Sequence, residues 1–243
     1  MTILVISDIH ANLTALEAVL TEAGNVDAVW CLGDLVGYGP DPNECIARVR
    51  LLPGLVCLRG NHDAAALGQI DIEAFNAEAK TSIQWLLSRL TDESLEFLGG
   101  LPEKNVIGQI TLAHGSPRNP VWEYILDTRI ALRNFDYFDT PYCFIGHTHL
   151  PIIYQLDDDQ NNSVSLIASR TNEPLSLSKR ALLNPGSVGQ PRDHNPLASY
   201  ALFDPNANTW ENRRVAYNLR SVQMRILDAG LPRRHAQRLA EGW

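Results

Sequence analysis

The sequence predicts an α/β fold in which two β-sheets pack together and helices flank them. Three observations point there. Short apolar runs alternate with amphipathic stretches of helical period from Ile3 to Leu58, the order of parallel βαβ units. Residues 72 to 100 carry helical periodicity instead. After His149 the texture changes to short strand-like runs separated by turn clusters, the pattern of mostly antiparallel pairing.

The elements follow in order. Ile3 to Ile6 reads as a buried strand, and residues 13 to 23 as a helix with Leu13, Leu16, Val19 and Leu20 on one face and Gly24 beyond its end. Val29 to Leu32 is a second strand. After the turn Gly39-Pro40-Asp41-Pro42, residues 42 to 52 form a second helix, and Leu55 to Leu58 a third strand. Within 72 to 100, Ile83, Leu86, Leu87 and Leu90 make an i, i+3, i+4, i+7 stripe, and Thr91 is placed to cap a short helix through Leu98. Residues 105 to 113 read as a hairpin turning at Gly108-Gln109, and residues 122 to 139 as helix. Strand-like runs follow at 151–156, 163–168, 180–183, 198–203 and 213–217, expected to form a second, mostly antiparallel sheet. The turn clusters are Asp157 to Asn162, Asn172 to Pro174, Asn184 to Gly189 and Asp204 to Asn208. Leu219 to Ala229 and Pro232 to Ala240 read as closing helices. No repeat or long linker interrupts the chain, so residues 1–243 are expected to be one domain with a helical insertion at about 72–100.

Composition narrows the function classes. Twenty basic residues against 28 acidic ones leave a net charge of −8, which disfavours nucleic acid or an anionic membrane as partner. No stretch approaches the length and apolarity of a membrane span. Cys31, Cys45, Cys57 and Cys143 show no CxxC spacing and read as buried free thiols, as in a reducing cytoplasm.

The chemistry gathers where apolar runs end. Ile3 to Ile6 leads into Asp8 and His10, and Val29 to Leu32 into Gly33-Asp34. Leu55 to Leu58 leads into Arg59-Gly60-Asn61-His62-Asp63, Ile110 to Ala113 into His114-Gly115, and Tyr142 to Ile145 into Gly146-His147-Thr148-His149. Ligands in open α/β sheets bind beyond the carboxyl ends of the strands, so five strands would deliver two Asp, one Asn and five His to one rim. Imidazole, carboxylate and amide without thiolate exclude the usual structural zinc site. Such a set suits manganese, iron or zinc better than calcium or magnesium. Two Asp leave a pair of divalent ions net positive and attractive to phosphate.

The succession DxH, GD, GNHD, HG and GHTH, running from Asp8 to His149, resembles the calcineurin-like metallophosphoesterase superfamily. The later stretch NPGSVGQPRD, Asn184 to Asp193, resembles its small bacterial and archaeal phosphodiesterase-like branch. The resemblance implies a four-layer αββα sandwich and hydrolysis of phosphomonoesters or phosphodiesters at two divalent ions, manganese first among them, with iron, zinc, nickel or cobalt as alternatives. It implies that Asp8, His10 and His149 hold one ion and Asn61, His114 and His147 the other, with Asp34 bridging. It makes His62 the general acid for the leaving oxygen, or the stabiliser of the charged phosphoryl oxygens. LRGNHD also looks like protein Ser/Thr phosphatases and dinucleoside polyphosphate hydrolases. In protein phosphatases, however, an Asp-Arg pair follows the bridging Asp, and Gly37 and Tyr38 stand at those positions here. The dinucleoside enzymes also carry an Arg near there, which this chain lacks. The phosphate clamp of both classes is therefore missing. A non-catalytic scaffold of the same fold would be expected to have lost ligands or the acid, and here each position is filled.

Outside the ligand set, Asn12, Arg59, Arg118 and Arg192 are candidate substrate contacts. Asn12 is also placed to cap the helix at Leu13, and the Gly186 to Gly189 turn before Arg192 could turn backbone N–H groups toward an anion. Tyr38 reads as an exposed loop residue able to stack on an aromatic leaving group. His194 and His235 read as surface residues, and Arg225, Arg233, Arg234 and Arg238 as a solvated helix face. The partner expected is a small phosphate ester, with no nucleic acid and no membrane; the sequence leaves the oligomeric state open.

Overall fold

The computed structural model describes residues 1–157, 163–167 and 170–243. The first half contains β1 (Ile3–Ile6), α1 (Leu13–Ala23), β2 (Ala28–Cys31), α2 (Pro42–Arg50), β3 (Val56–Cys57), α3 (Asn61–Ala66), α4 (Ala77–Leu87), α5 (Asp92–Gly99), β4 (Lys104–Ile107), β5 (Ile110–Ala113), α6 (Thr128–Asn134) and β6 (Tyr142–Phe144). The second half contains β7 (Pro151–Leu156), β8 (Val164–Ile167), β9 (Leu175–Ser176), β10 (Ala181–Pro185), β11 (Ala198–Asp204), β12 (Thr209–Val215), α7 (Leu219–Asp228) and α8 (Arg233–Glu241).

The strands form two mixed six-stranded sheets, ordered β3-β2-β1-β11-β12-β9 and β4-β5-β6-β10-β7-β8. Each strand alternates its faces, so one sheet feeds two cores. Ile3 and Val5 of β1, Trp30 of β2, Phe144 of β6, Leu183 of β10 and Phe203 of β11 meet between the sheets. Leu4, Ile6, Val29 and Cys31 face outward, onto Leu16 and Val19 of α1, Ile46 and Val49 of α2 and Leu98 of α5. On the other sheet Cys143, Tyr154 and Leu182 face Ala131 of α6 and Phe135. Burial on both faces is why these strands read as unbroken apolar runs. The four cysteines are buried and free. Among the described residues no helix is long and apolar enough to cross a membrane.

Three expectations need correction. The strands after His149 do not make a sheet of their own. β11 pairs antiparallel with β1, Ile3 opposite Phe203, while β10 pairs parallel with β6, Ala181 opposite Tyr142. Each returning strand completes a sheet that the first half leaves with an open edge, and an apolar pattern does not name its partner. The helix expected over 122–139 starts only at Thr128, because Asp127 caps it there by accepting the N–H groups of Arg129 and Ile130, and it runs as α-helix to Asn134 and as a 3-10 turn over Phe135–Tyr137. The strand expected at 213–217 begins earlier, at Thr209, where Trp210 is buried. Residues 158–162 of the turn cluster Asp157 to Asn162, and residue 168 of the expected strand 163–168, lie outside the described residues.

Candidate metal centre

The ligand candidates stand on loops that leave the carboxyl ends of β1, β2, β5 and β6, and at the start of α3. Backbone bonds lace these loops together. Asp8 N–H donates to Gly33 O at 3.0 Å and His10 N–H to Asp34 O at 3.0 Å. The structure brings Asp8, His10, Asp34, Asn61, His62, His114, His147 and His149 into one buried cluster, none more than 3% exposed. Five of the seven expected ligands take left-handed backbone: Asp8, His10, Asp34, His147 and His149, with φ of 55°, 47°, 56°, 63° and 61°. Non-glycine residues rarely adopt this region, and such strain persists only where the surroundings over-determine it.

Four imidazoles share one arrangement. His10 Nδ1 lies 3.1 Å from Val36 O, His114 Nδ1 3.0 Å from Leu32 O, His147 Nε2 3.1 Å from Trp122 O, and His149 Nδ1 2.6 Å from Gln190 O. A carbonyl only accepts, so each of these nitrogens carries the proton. In the neutral form of each ring the inner nitrogen then carries a lone pair, and these nitrogens face one another. His10 Nε2 is 3.1 Å from His149 Nε2, and His114 Nε2 is 3.2 Å from His147 Nδ1 and 3.1 Å from Asn61 Oδ1. Facing lone pairs repel unless a cation or a proton sits among them, and this outer N–H to carbonyl bond is how metal-binding histidines are held. Asp8 Oδ1 is buried without a hydrogen-bond partner, 3.2 Å from His149 Nε2. Asp34 Oδ2 lies 3.6 Å from His10 Nε2 and 3.5 Å from His114 Nε2, between the two groups. The residues present therefore fit two cations, one beside Asp8, His10 and His149 and one beside Asp34, His114 and His147.

Proton affinities carry the same message. Burial opposes it, but Asp34 beside His114 raises that imidazole to about 9, so it holds a proton in place of a cation. Burial and the neighbouring imidazoles press His10 and His147 well below the ordinary imidazole value, against the opposite pull of Asp34 and Asp8. Asp34 is held well below the carboxylate range against the cost of burial, by His114 and His62.

Close approach explains two glycines. A Cβ on Gly60 would lie 2.0 Å from Asp34 Oδ1. Gly37, at φ +97°, leaves room for the His62 ring, whose Nδ1 a Cβ there would meet at 2.5 Å. His62 packs between Tyr38 and Phe75, with ring centroids at 4.5 and 5.1 Å, and its Nδ1 has no hydrogen-bond partner. Burial pushes it down to about 4. Asp63, next in the chain, supports the loop. Its carboxylate accepts the N–H groups of Asp34, Leu35, Val36 and Gly60 at 2.9 to 3.2 Å. The GNHD spacing marked Asp63, but only the structure shows what it holds.

A cleft of about 370 Å³ opens beside the cluster, lined by Tyr38, Asn76, Tyr124, Thr148, Arg192 and Arg238 among others. Tyr124 stacks on His147 with ring centroids 3.7 Å apart. Of the four substrate candidates, only Arg192 lines this cleft. Asn12 is committed at both ends, capping α1 through Ala15 N–H and donating to Gly189 O. Arg59 pairs with Glu103 at 3.0 Å, and Arg118 with Glu123. Three N–H groups of the Gly186 to Gly189 turn are taken within the protein. Gly186 N–H bonds Asn184, while Val188 and Gly189 N–H groups bond Ser7 O and Asp8 O, so the turn clamps the ligand loop. Tyr38 is buried, not exposed, and so is His235, whose ring lies 4.9 Å from that of Tyr38. Arg225 is half-buried and bonds Asp41 and Thr14, and Arg238 turns into the cleft. Arg233 and His194 are exposed.

Comparison with known proteins gives the family. The chain is 38% identical to an uncharacterized protein of Methanocaldococcus jannaschii, over 99% of this chain and 98% of that one. Its fold is similar to a metallophosphoesterase from Sphaerobacter thermophilus, with a TM-score of 0.90, 46% identity, and 100% and 99% of the two chains covered. A hypothetical protein from Pyrococcus horikoshii shares the fold at a TM-score of 0.78 and 22% identity, covering 100% and 98%. Residues 1–208 match the calcineurin-like phosphoesterase superfamily domain, and the chain belongs to that superfamily.

Proposed function

We propose that the protein hydrolyses small phosphomonoesters or phosphodiesters at a centre of two divalent ions. One observation carries the reading: two pairs of inward-facing imidazole nitrogens, each beside a buried carboxylate, in a chain of this superfamily. Asp8, His10 and His149 would hold one ion, and Asn61, His114 and His147 the other, with Asp34 shared. The ions supply a nucleophile from water at neutral pH and neutralise phosphoryl oxygens; the imidazole-rich set puts manganese first. The carbonyls of Val36, Leu32, Trp122 and Gln190 fix the tautomer of each ring, so the protein orients the donors before anything binds.

His62 is buried at the mouth of the cluster and neutral at pH 7, its proton affinity pushed down to about 4. A neutral imidazole donates a hydrogen bond without surrendering its proton. Of the two roles the resemblance allows, this favours stabilising a phosphoryl oxygen over protonating the leaving group. Tyr38 and Phe75 pack against its ring and exclude water around it.

The test is to strip metal with chelator, verify its absence, and restore ions singly while following p-nitrophenyl phosphate and bis-p-nitrophenyl phosphate. Hydrolysis should vanish and return, with manganese among the best activators. Full activity in metal-free protein would overturn the reading.

A further inference from the structure

One wall of the cleft comes from beyond the superfamily region. That match ends at residue 208, whereas α7 and α8 follow it. The two helices pack through Val222, Ile226, Leu231, Ala236 and Leu239. They are pinned to the body at both ends of α8. His235 Nε2 lies 2.6 Å from Ser82 Oγ of α4. Trp243 stacks on His194 at 4.8 Å, and His194 N–H donates to Gly242 O at 2.7 Å. This anchoring places Arg238 and Trp243 in the cleft wall, together with Arg192, Tyr38 and Tyr124.

The two arginines there lack the carboxylate partner that several arginines elsewhere have. Arg48, Arg59, Arg118, Arg213, Arg214 and Arg225 each pair with a carboxylate. Among the described residues neither Arg192 nor Arg238 does. Arg192 reaches only Tyr38 Oη at 3.4 Å and Gln190 Oε1 at 3.3 Å. The Nε of both arginines is buried with no hydrogen-bond partner. Burial and the charge of Arg192 hold Arg238 below its ordinary value, the mark of like charges placed near each other. In a chain of net charge −8, two cations left unpaired at one cleft are short of an anion. Guanidinium forks match phosphate geometry, and the rings of Tyr124 and Trp243, which also line the cleft, suit a planar group beside it.

We propose that Arg192 and Arg238 form a second anion site that takes a second phosphate group of the substrate, so that the preferred substrates are nucleotide-like esters bearing a phosphate besides the scissile one. This rests on the phosphoesterase reading above. The scissile phosphate occupies the metal centre, the second phosphate bridges the arginines, and the ring of the ester lies against the aromatic wall.

The experiment compares kcat/KM for a nucleoside 5′-monophosphate and the matching 3′,5′-bisphosphate in manganese-loaded wild type, Arg238→Ala and Arg238→Lys, with thermal melting to check folding. Wild type should prefer the bisphosphate by roughly 10–100-fold, the scale of one charge-assisted hydrogen bond. The preference should collapse in Arg238→Ala, mainly through KM, and survive in part in Arg238→Lys. No preference in wild type, or an unchanged one in Arg238→Ala, overturns the proposal. A second arm reads the anion site without catalysis, by calorimetry of inorganic phosphate with metal-free protein. Binding weakened at least about tenfold in Arg238→Ala supports the site; equal affinity in both proteins overturns it. Failure of wild type to hydrolyse any ester would instead strike the phosphoesterase reading, with the calorimetric arm still deciding the anion site.

Discussion

The rim built by residues 1–149 and the wall built by residues 185–243 treat their polar groups in opposite ways. On the rim, four histidines have one nitrogen satisfied by a carbonyl and the other turned inward. On the wall, Arg192 and Arg238 keep buried Nε atoms without any partner. The rim is pre-organised for cations by short-range geometry, each ligand lying within a few residues of a strand end. The wall depends on α8 returning from far along the chain. Substitution of an expected ligand on the rim should therefore act on metal and rate together, while one on the wall should act on which ester is chosen.

The largest effect is expected at Asp34. Its carboxylate lies between the two groups of donors, 3.6 Å from His10 Nε2 and 3.5 Å from His114 Nε2. Asp34→Ala should bring hydrolysis down to the background rate. Retention of a tenth of wild-type activity would show that the rim does not work as one unit.

His62 comes next. His62→Ala should keep its metal and lose roughly 10²–10⁴ in rate, the scale of a positioned catalytic imidazole. Because His62 is neutral at pH 7, the deficit should be similar for p-nitrophenyl phosphate and an alkyl phosphate. A much larger deficit on the alkyl ester would make His62 a proton donor. Loss of metal would make it a ligand, a role its closeness to His10 and Asp34 leaves geometrically open.

Much of this was legible because strand ends and ligands are neighbours in the chain. β1, α1, the 104–113 hairpin and the rim residues follow from apolar runs and from spacings such as Asp8 to His10. Thr91 caps α5 as its residue type suggests, accepting Ser94 N–H. What was not legible is non-local. Nothing near Tyr38 announces that His235 will bury it, and nothing near Arg238 announces Arg192. Arg59 and Arg118 sit beside rim motifs, yet Glu103 and Glu123 divert them. A basic residue's neighbours in sequence do not say which acid it will find. Asn12 illustrates the same limit, since its side chain both caps α1 and reaches Gly189 O, far along the chain.

A smaller effect is expected at Asp63, which touches no expected ligand side chain but accepts four backbone N–H groups around Asp34. Asp63→Asn would turn an amide donor toward those donors. Metal affinity should fall by roughly 10–100-fold, as for other groups that orient a metal site indirectly. Titration of the metal-free variant with manganese checks this, and an unchanged affinity would show that the loop holds its shape without the carboxylate.

The smallest effect belongs to the wall and concerns stability. Burial pushes His235 down to about 4 from 6.5. The unfolded chain therefore takes up a proton at higher pH than the folded one. The neutral ring's stabilising contribution is whole above about pH 6.5 and is lost progressively as pH falls toward 4. Between pH 7 and 5 the loss should be on the order of 1–2 kcal/mol. His235→Gln should show a shallower decline of melting temperature over that interval; an identical decline would place the acid sensitivity elsewhere.

The most direct measurement is the number of divalent ions bound per chain. Wild type dialysed against manganese should hold two, and Asp34→Ala should lose both ions and not one, because Asp34 stands between the donor groups. A wild type that binds one ion or none, or an Asp34→Ala protein that keeps two, would contradict a centre of two ions sharing that carboxylate.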